Sequence, residues 1–271
     1  MTTLRYLHQL SRLPDLHQVM SVQGLLPAKP HRPYLRAGFS VAARAQAILD
    51  HYQLVAALQN GRLRQLLQSP GDNLLATLSG KNGETFELFS CPGRFDREGE
   101  ITLVLRYQNE AIASLSFSLI KEAGLRTLLI GGLQGPRKHV SSEVIREATK
   151  AAHGLFPKRI VMEVVCMLAQ CCAAEKIIAV GDTTHVFRSL RYRHSKSDYF
   201  FASYSEFWAS LGGEARKDGL YQLPLRLPRK ALEEIASKKR AEYRRRYELL
   251  DALAQQVSAA VGQRGEDQAA A

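Results

Sequence analysis

Apolar positions along this chain change their period twice. Up to about residue 70 they recur at helical spacing: Leu4, Leu7, Leu10 and Leu13 before Pro14, then Ala45, Ile48, Leu49, Tyr52, Val55 and Leu58, then Leu63 to Leu67. Between the first two groups, PAKPHRPYLR holds three prolines and predicts an extended connector. Arg44 and His51, seven residues apart, share one face of the Val41–Leu58 helix and read as its charged, solvated side. From Leu74 the pattern alternates. LLATLSG and ETFELFS flank Lys81-Asn82-Gly83, a hairpin signal, and GEITLVLRY and AIASLSFSL flank Gln108-Asn109-Glu110. Leu125 to Ile130 supplies a fifth strand, and successive hairpins build an antiparallel sheet.

The second half alternates helix and strand. Ser142 to His153 reads as a helix that stops at Gly154, and Pro157 opens another, KRIVMEVVCMLAQCCAAEK. Its β-branched residues leave a strand over Ile160–Val165 as the alternative. Ile177 to Val180 is a short buried strand ending at Gly181-Asp182, and Tyr199 to Tyr204 is a further strand. Phe207, Trp208, Leu211 and Gly212-Gly213 close the unit, and a long helix runs from Pro228 through Leu253. The fold class is therefore α+β, a central sheet of six or seven mostly antiparallel strands with flanking helices. Residues 1–70 form a helical N-terminal portion, 71–225 an α/β core domain, 226–260 a basic C-terminal helix and 261–271 a disordered tail.

Composition narrows this picture in two places. No apolar run approaches the roughly 20 residues that span a bilayer, and the N-terminal stretch lacks a signal-peptide core, so the expectation is a cytoplasmic protein with at most peripheral contact to the inner membrane. The formal net charge of +11 favours phosphate-bearing partners. Between Arg226 and Glu248, nine Lys/Arg stand against four Glu, and Lys239, Arg240, Arg244 and Arg246 are the candidate anion-binding residues for lipid, a lipopolysaccharide precursor or, less favoured, RNA. The pairs Glu234–Lys238 and Glu242–Arg246 also make a self-paired, solvated helix. Four cysteines and eight histidines show no metal-ligand spacing, so no metal is expected.

The most suggestive stretch is LLIGGLQGPRKHVSSEVIREATK. A strand meets glycines, a basic pair and a capped helix, an order that suits a phosphate at the helix N-terminus. Gly132, Gln134, Gly135, Arg137 and Lys138 would lie nearest such a group. The glycines fit neither dinucleotide nor P-loop spacing, and a tight strand-to-helix turn with solvated charges explains them equally.

LIGGLQGP, TKAAHGLFPKRI, AVGDTTHVFRS, SDYFFASYSEFWASLGG and KKRAEYRRRYELLD follow one another in an order that resembles the VirK/YbjX family of bacterial proteins, from about Arg44 to Asp251. The resemblance implies a cytoplasmic protein of Gram-negative bacteria, linked to virulence and to withstanding cationic antimicrobial peptides. It implies no reaction. The element order is also similar to the acyl-CoA N-acyltransferase fold, in which a Q/R-x-x-G-x-G/A turn holds the cofactor's pyrophosphate. Here Pro136 removes one N–H and no second glycine follows. On that likeness the ligand is an acyl-CoA or another pyrophosphate-bearing molecule. His185, after the Gly181-Asp182 turn, is then the first choice of general base and His153 the second, with His139 also open.

Overall fold

Helical and alternating periods separate cleanly in the computed structural model, which describes residues 2–188 and 204–262. Helices α1 (Thr3–Leu10), α2 (Leu16–Val22), α3 (Val41–Ala56) and α4 (Gly61–Gln68) come first. Strands β1 (Asn73–Ser79), β2 (Thr85–Pro92), β3 (Ile101–Tyr107), β4 (Glu110–Glu122) and β5 (Leu125–Gln134) follow. Then come α5 (Ser142–Ala151), α6 (Pro157–Cys171), β6 (Lys176–Val180), α7 (Tyr204–Ser210), β7 (Glu214–Ala215), β8 (Leu220–Leu223) and α8 (Ser237–Val261).

The strands form one eight-stranded sheet in the order β1-β2-β3-β4-β5-β6-β8-β7. Every pairing is antiparallel except β5 with β6, which are joined by the α5–α6 crossover and run parallel. The α+β class and the mostly antiparallel sheet with flanking helices agree with the alternation in the sequence. The strand count is higher because β7 and β8 fall where the sequence reads only as a linker. The expected strand at Tyr199–Tyr204 lies outside the described residues up to 203, and Tyr204 itself opens α7. The tail beyond 262 also lies outside them.

One alternative is closed in favour of the helix and three local expectations are corrected. Residues 160–165 are helical, because α6 begins with Pro157 at its first turn and buries almost its whole length. The proline connector contains a 3-10 helix at Leu26–His31, since Pro27 near its start brings a φ that suits a helical turn. Residues 228–236 precede α8, with a 3-10 turn at Leu232–Glu234, so Glu234 is outside the helix it was expected to pair in. Finally, α3 is no surface helix. His51 is buried and its Nδ1 accepts from the Leu119 N–H at 3.1 Å, while Asp50 accepts from the Lys121 N–H at 3.0 Å. These are β4 amides that β3 does not reach, because the β3–β4 ladder ends at Ile101↔Phe117. A strand without its neighbour needs such acceptors.

One contiguous core runs from Tyr6 to Val261. β4 is buried at each position from Ile112 to Ile120, the mark of a strand covered on both faces. At the outer edge of the sheet, Gln256 of α8 bonds both the N–H and the C=O of Thr77, each at 2.8 Å. It supplies the partner that an exposed edge strand would otherwise seek.

Glycine is required where β5 bulges. Ser116 pairs with Gly132 and Phe117 with Ile130, which leaves Gly131 as the extra residue. A Cβ there would overlap the Glu98 carbonyl and crowd that of Leu35, whereas a Cβ at Gly135 would meet nothing within 4 Å. Gly131→Ala is expected to cost at least about 2 kcal/mol in urea unfolding, and Gly135→Ala to stay within about 0.5 kcal/mol of the parent.

Candidate functional site

The β5–β6 ladder ends at Ile130↔Ala179, yet β5 continues to Gln134 while β6 stops at Val180. Two aromatic residues of α7 occupy the parting. Tyr204 Oη accepts from the Leu133 N–H of β5 at 3.2 Å, and Trp208 Nε1 donates to the Val180 carbonyl of β6 at 2.8 Å. Their rings stack at 6.0 Å. The turn at the end of β6 holds this wedge in place: Asp182 Oδ1 accepts from the Tyr204 N–H at 2.7 Å, and Oδ2 accepts from the Ser205 N–H. Asp182 thereby satisfies donors at the start of α7.

Into the same gap comes Glu98, from the segment just before β3. It is 1% exposed. Its Oε1 accepts from Gln134 Nε2 at 2.8 Å and stands 3.2 Å from His185 Nε2. His185 Nδ1 accepts from the Phe187 N–H at 3.3 Å, so the neutral ring carries its proton on Nε2 and donates to Glu98. Among the described residues, Glu98 Oε2 has no hydrogen-bond partner. That oxygen lies against Gly132, where a Cβ would overlap it. A buried carboxyl oxygen without a partner costs free energy in the resting protein, and a donor brought to it would relieve that cost.

Two residues on, Glu100 enters a second buried cluster. Its Oε1 accepts from Lys29 Nζ at 2.6 Å and its Oε2 from Tyr52 Oη at 2.7 Å, while its own N–H donates to Ser118 Oγ at 3.1 Å. Lys29 also donates to Gln23 Oε1 and sits 4.8 Å from the Tyr34 ring centroid. Burial pushes the Glu100 carboxyl upward, but the Lys29 ammonium, His51 and the hydrogen bonds from Lys29 and Tyr52 outweigh it and hold the carboxyl below its usual range. Burial, and next the Glu100 charge, push the Tyr34 and Tyr52 hydroxyls well up. Ordinary polar chemistry is thus fully paired in this cluster, in contrast to Glu98 Oε2.

The sequence-derived candidates divide between these surroundings. His185, Gln134 and Gly132 meet at Glu98. Gly135, Arg137 and Lys138 lie on the exposed rim where β5 leads to α5. His153 is at the other end of α5, a helix of ten residues and so about 15 Å long, and does not join them. Its carbonyl accepts from Arg246 Nε and Nη2 at 3.0 and 2.9 Å. His139 is exposed, 3.7 Å from Glu110. On α8, Lys239 and Arg244 are exposed, whereas Arg240 bonds the Ile235 carbonyl and Arg246 stacks on Tyr243 at 4.1 Å, so the four do not act as one patch.

Glu98, Glu100 and Lys29 carry no motif, and Tyr204 lies in the aromatic segment of the family resemblance without any mark of its role. A glutamate ahead of an apolar strand reads as a solvated strand end, and the only hint is alternation, which sets Glu98 and Glu100 on the face of Thr102, opposite Ile101 and Leu103.

A family model described as "Protein of unknown function (DUF535)" matches residues 1–259. The "Uncharacterized protein YbjX" of Escherichia coli (strain K12) is 43% identical over 259 residues, covering 94% of this chain and 78% of the relative. The chain belongs to this family. An "Uncharacterized protein" of Haemophilus influenzae is 34% identical over 218 residues, 80% of this chain and 70% of its own length. The VirK/YbjX resemblance thus holds, and it extends N-terminal to Arg44, over the helices that support Glu100. No helix among the described residues is long and apolar enough to cross a membrane.

The cluster generates a pH dependence. Burial lowers the His51 imidazole from 6.5 to about 4, with Glu100 opposing and Lys29 assisting. Between those values the unfolded chain binds a proton that the folded chain refuses, so stability falls on acidification. The loss should approach about 3 kcal/mol across the window. Urea unfolding at stepped pH should show it, and His51→Asn, which keeps an acceptor for Leu119, should remove that part of the slope.

Proposed function

We propose that the protein is an acyltransferase-like enzyme that moves an acyl group from a coenzyme A thioester to an amine or hydroxyl acceptor, with Glu98 as general base. The observation that carries this reading is the unpartnered Glu98 Oε2 in the gap where the one parallel strand pair separates beside the Gly131 bulge. An antiparallel sheet with a single diverging parallel pair, followed by a turn and a helix, also resembles the acyl-CoA N-acyltransferase fold. The setting that the VirK/YbjX resemblance suggests is envelope defence and the response to cationic antimicrobial peptides.

The rim suits the ligand in part. Gly135 has open space above its Cα and Arg137 is exposed, so a pyrophosphate could approach the backbone there, although Pro136 offers no N–H. Gly132 is closed off by Glu98 and belongs to the acid–base centre instead. The coenzyme would supply the activated thioester. Glu98 Oε2 would take the proton that the acceptor loses as it attacks the thioester carbonyl and the carbon–sulfur bond breaks. His185 and Gln134 would hold the carboxyl in register through Oε1. His185 is therefore a positioning residue in this scheme, and the base is its partner.

Calorimetry with acetyl-, octanoyl- and palmitoyl-CoA should show binding by at least one. With the matching amine or hydroxyl acceptor, Glu98→Gln should keep the binding and lose at least about 100-fold in turnover. Absence of binding by the folded protein at millimolar thioester would sink the acyltransfer reading. Full turnover by Glu98→Gln would remove Glu98 from the base role.

A further inference from the structure

Two segments that carry the family resemblance play no part at Glu98, and the fold brings them to one place with a third. HGLFP, between α5 and α6, the Leu227-Pro228 bridge and KKRAEYRRRY of α8 enclose a surface cleft of about 470 Å³. Its walls combine aromatic faces (Phe156, Tyr243, Tyr247) with four cations (Arg159, Arg229, Lys230, Arg246), against one lining carboxylate, Glu234. Gly154 is needed here: its φ is +80°, and a Cβ would lie 2.5 Å from Arg246 Nη2.

The cleft is built by fixed groups. Tyr247 Oη donates to the Lys230 carbonyl at 2.7 Å, and Tyr243 and Tyr247 pack edge to face at 6.0 Å. Arg159 donates to the Pro228 carbonyl at 3.0 Å and Arg246 to that of His153, so both guanidiniums are held by neutral acceptors. Their carboxylate neighbours stand at 3.6 Å (Glu163) and 3.7 Å (Glu242), beyond hydrogen-bond distance, and only Arg229 has a close one, Asp251 at 2.6 Å. The two guanidiniums are thus ion-paired only at longer range, and Lys230 makes no ion pair among the described residues. Phe156 is 44% exposed beside it, although a core position was available one residue away at Leu155.

We propose that this cleft is a binding site for a phosphate ester that carries an aromatic or apolar portion. Planar, pre-oriented guanidiniums suit phosphate oxygens, the aromatic walls suit the rest of the molecule, and the volume lies within the roughly 300–1,000 Å³ of ligand sites. The anion site thus sits on the inner side of α8, with Arg246, rather than along the exposed Lys239–Arg244 side. It uses none of the residues at Glu98 and stands or falls separately from acyl transfer.

The test uses the full chain in two arms. Calorimetry with ADP probes a free phosphate ester, and sedimentation with phosphatidylcholine vesicles, with and without phosphatidylglycerol, probes a lipid headgroup. Binding is expected in at least one arm, weakened about tenfold or more by the pair Arg159→Gln and Lys230→Gln and unchanged by the exposed control pair Arg244→Gln and Arg245→Gln. Unchanged thermal melting would show that the variants are folded. Failure to bind in both arms overturns the proposal, as does binding that the control pair weakens as much as the cleft pair, which would mark general charge attraction.

Discussion

Everything distinctive in this protein depends on the separation of β5 from β6. Parallel strands normally continue to exchange hydrogen bonds as far as both extend. Here the exchange stops at Ile130, and the amide and carbonyl left over are satisfied by Tyr204 and Trp208 of α7. That substitution removes the cost of opening a sheet in its interior, where an unpaired backbone group is expensive. The two rings fill the parting, and Glu98 and His185 meet beside them. The bulge at Gly131 and the bare Cα of Gly132 make room for Glu98, and a side chain at either position would collide with it.

The two glutamates on either side of Gly99 illustrate how a core treats buried charge. Glu100 meets an ammonium, a phenol and two further polar groups nearby, so its desolvation is offset by close partners. Among the described residues, Glu98 meets a histidine and an amide on one oxygen alone. The difference is not one of depth, since both are 1% exposed. Complete pairing makes Glu100 part of the scaffold that fixes the segment, and it is the incomplete pairing of Glu98 on which the proposed role as base rests. Lys29 and Tyr52 come from the N-terminal helical region, so that region acts on the site through residues 98–100 rather than as a separate appendage.

Helix α8 is a second organising element. Gln256 seals the free edge of β1, and Leu249, Leu250, Leu253 and Val257 join the core. Its first turns are less buried and serve differently, bringing Tyr243, Arg246 and Tyr247 against the α5–α6 junction. One helix therefore protects the sheet at one end and shapes an arginine- and tyrosine-lined cleft at the other.

The hairpins, the starts of α5 and α6, the buried β6 and the family itself were legible in the sequence, because alternation, Asn-Gly turns, Ser142 and Pro157 act locally, whereas α6 ends at Cys171, short of the Lys176 that opens β6. Local rules also placed Gln134 and His185 among the candidates. They could not rank them, and they put His153 in the same group although α5 separates it from the β5 end. The burial of α3, the 3-10 turn at Leu26–His31 and the strands β7 and β8 were decided by tertiary contacts. Most of all, only the folded sheet makes Glu98 a candidate. Its character comes from Gly132, Gln134, His185 and Tyr204, residues 34 to 106 positions away, and a parted strand pair has no signature in the order of residues that builds it.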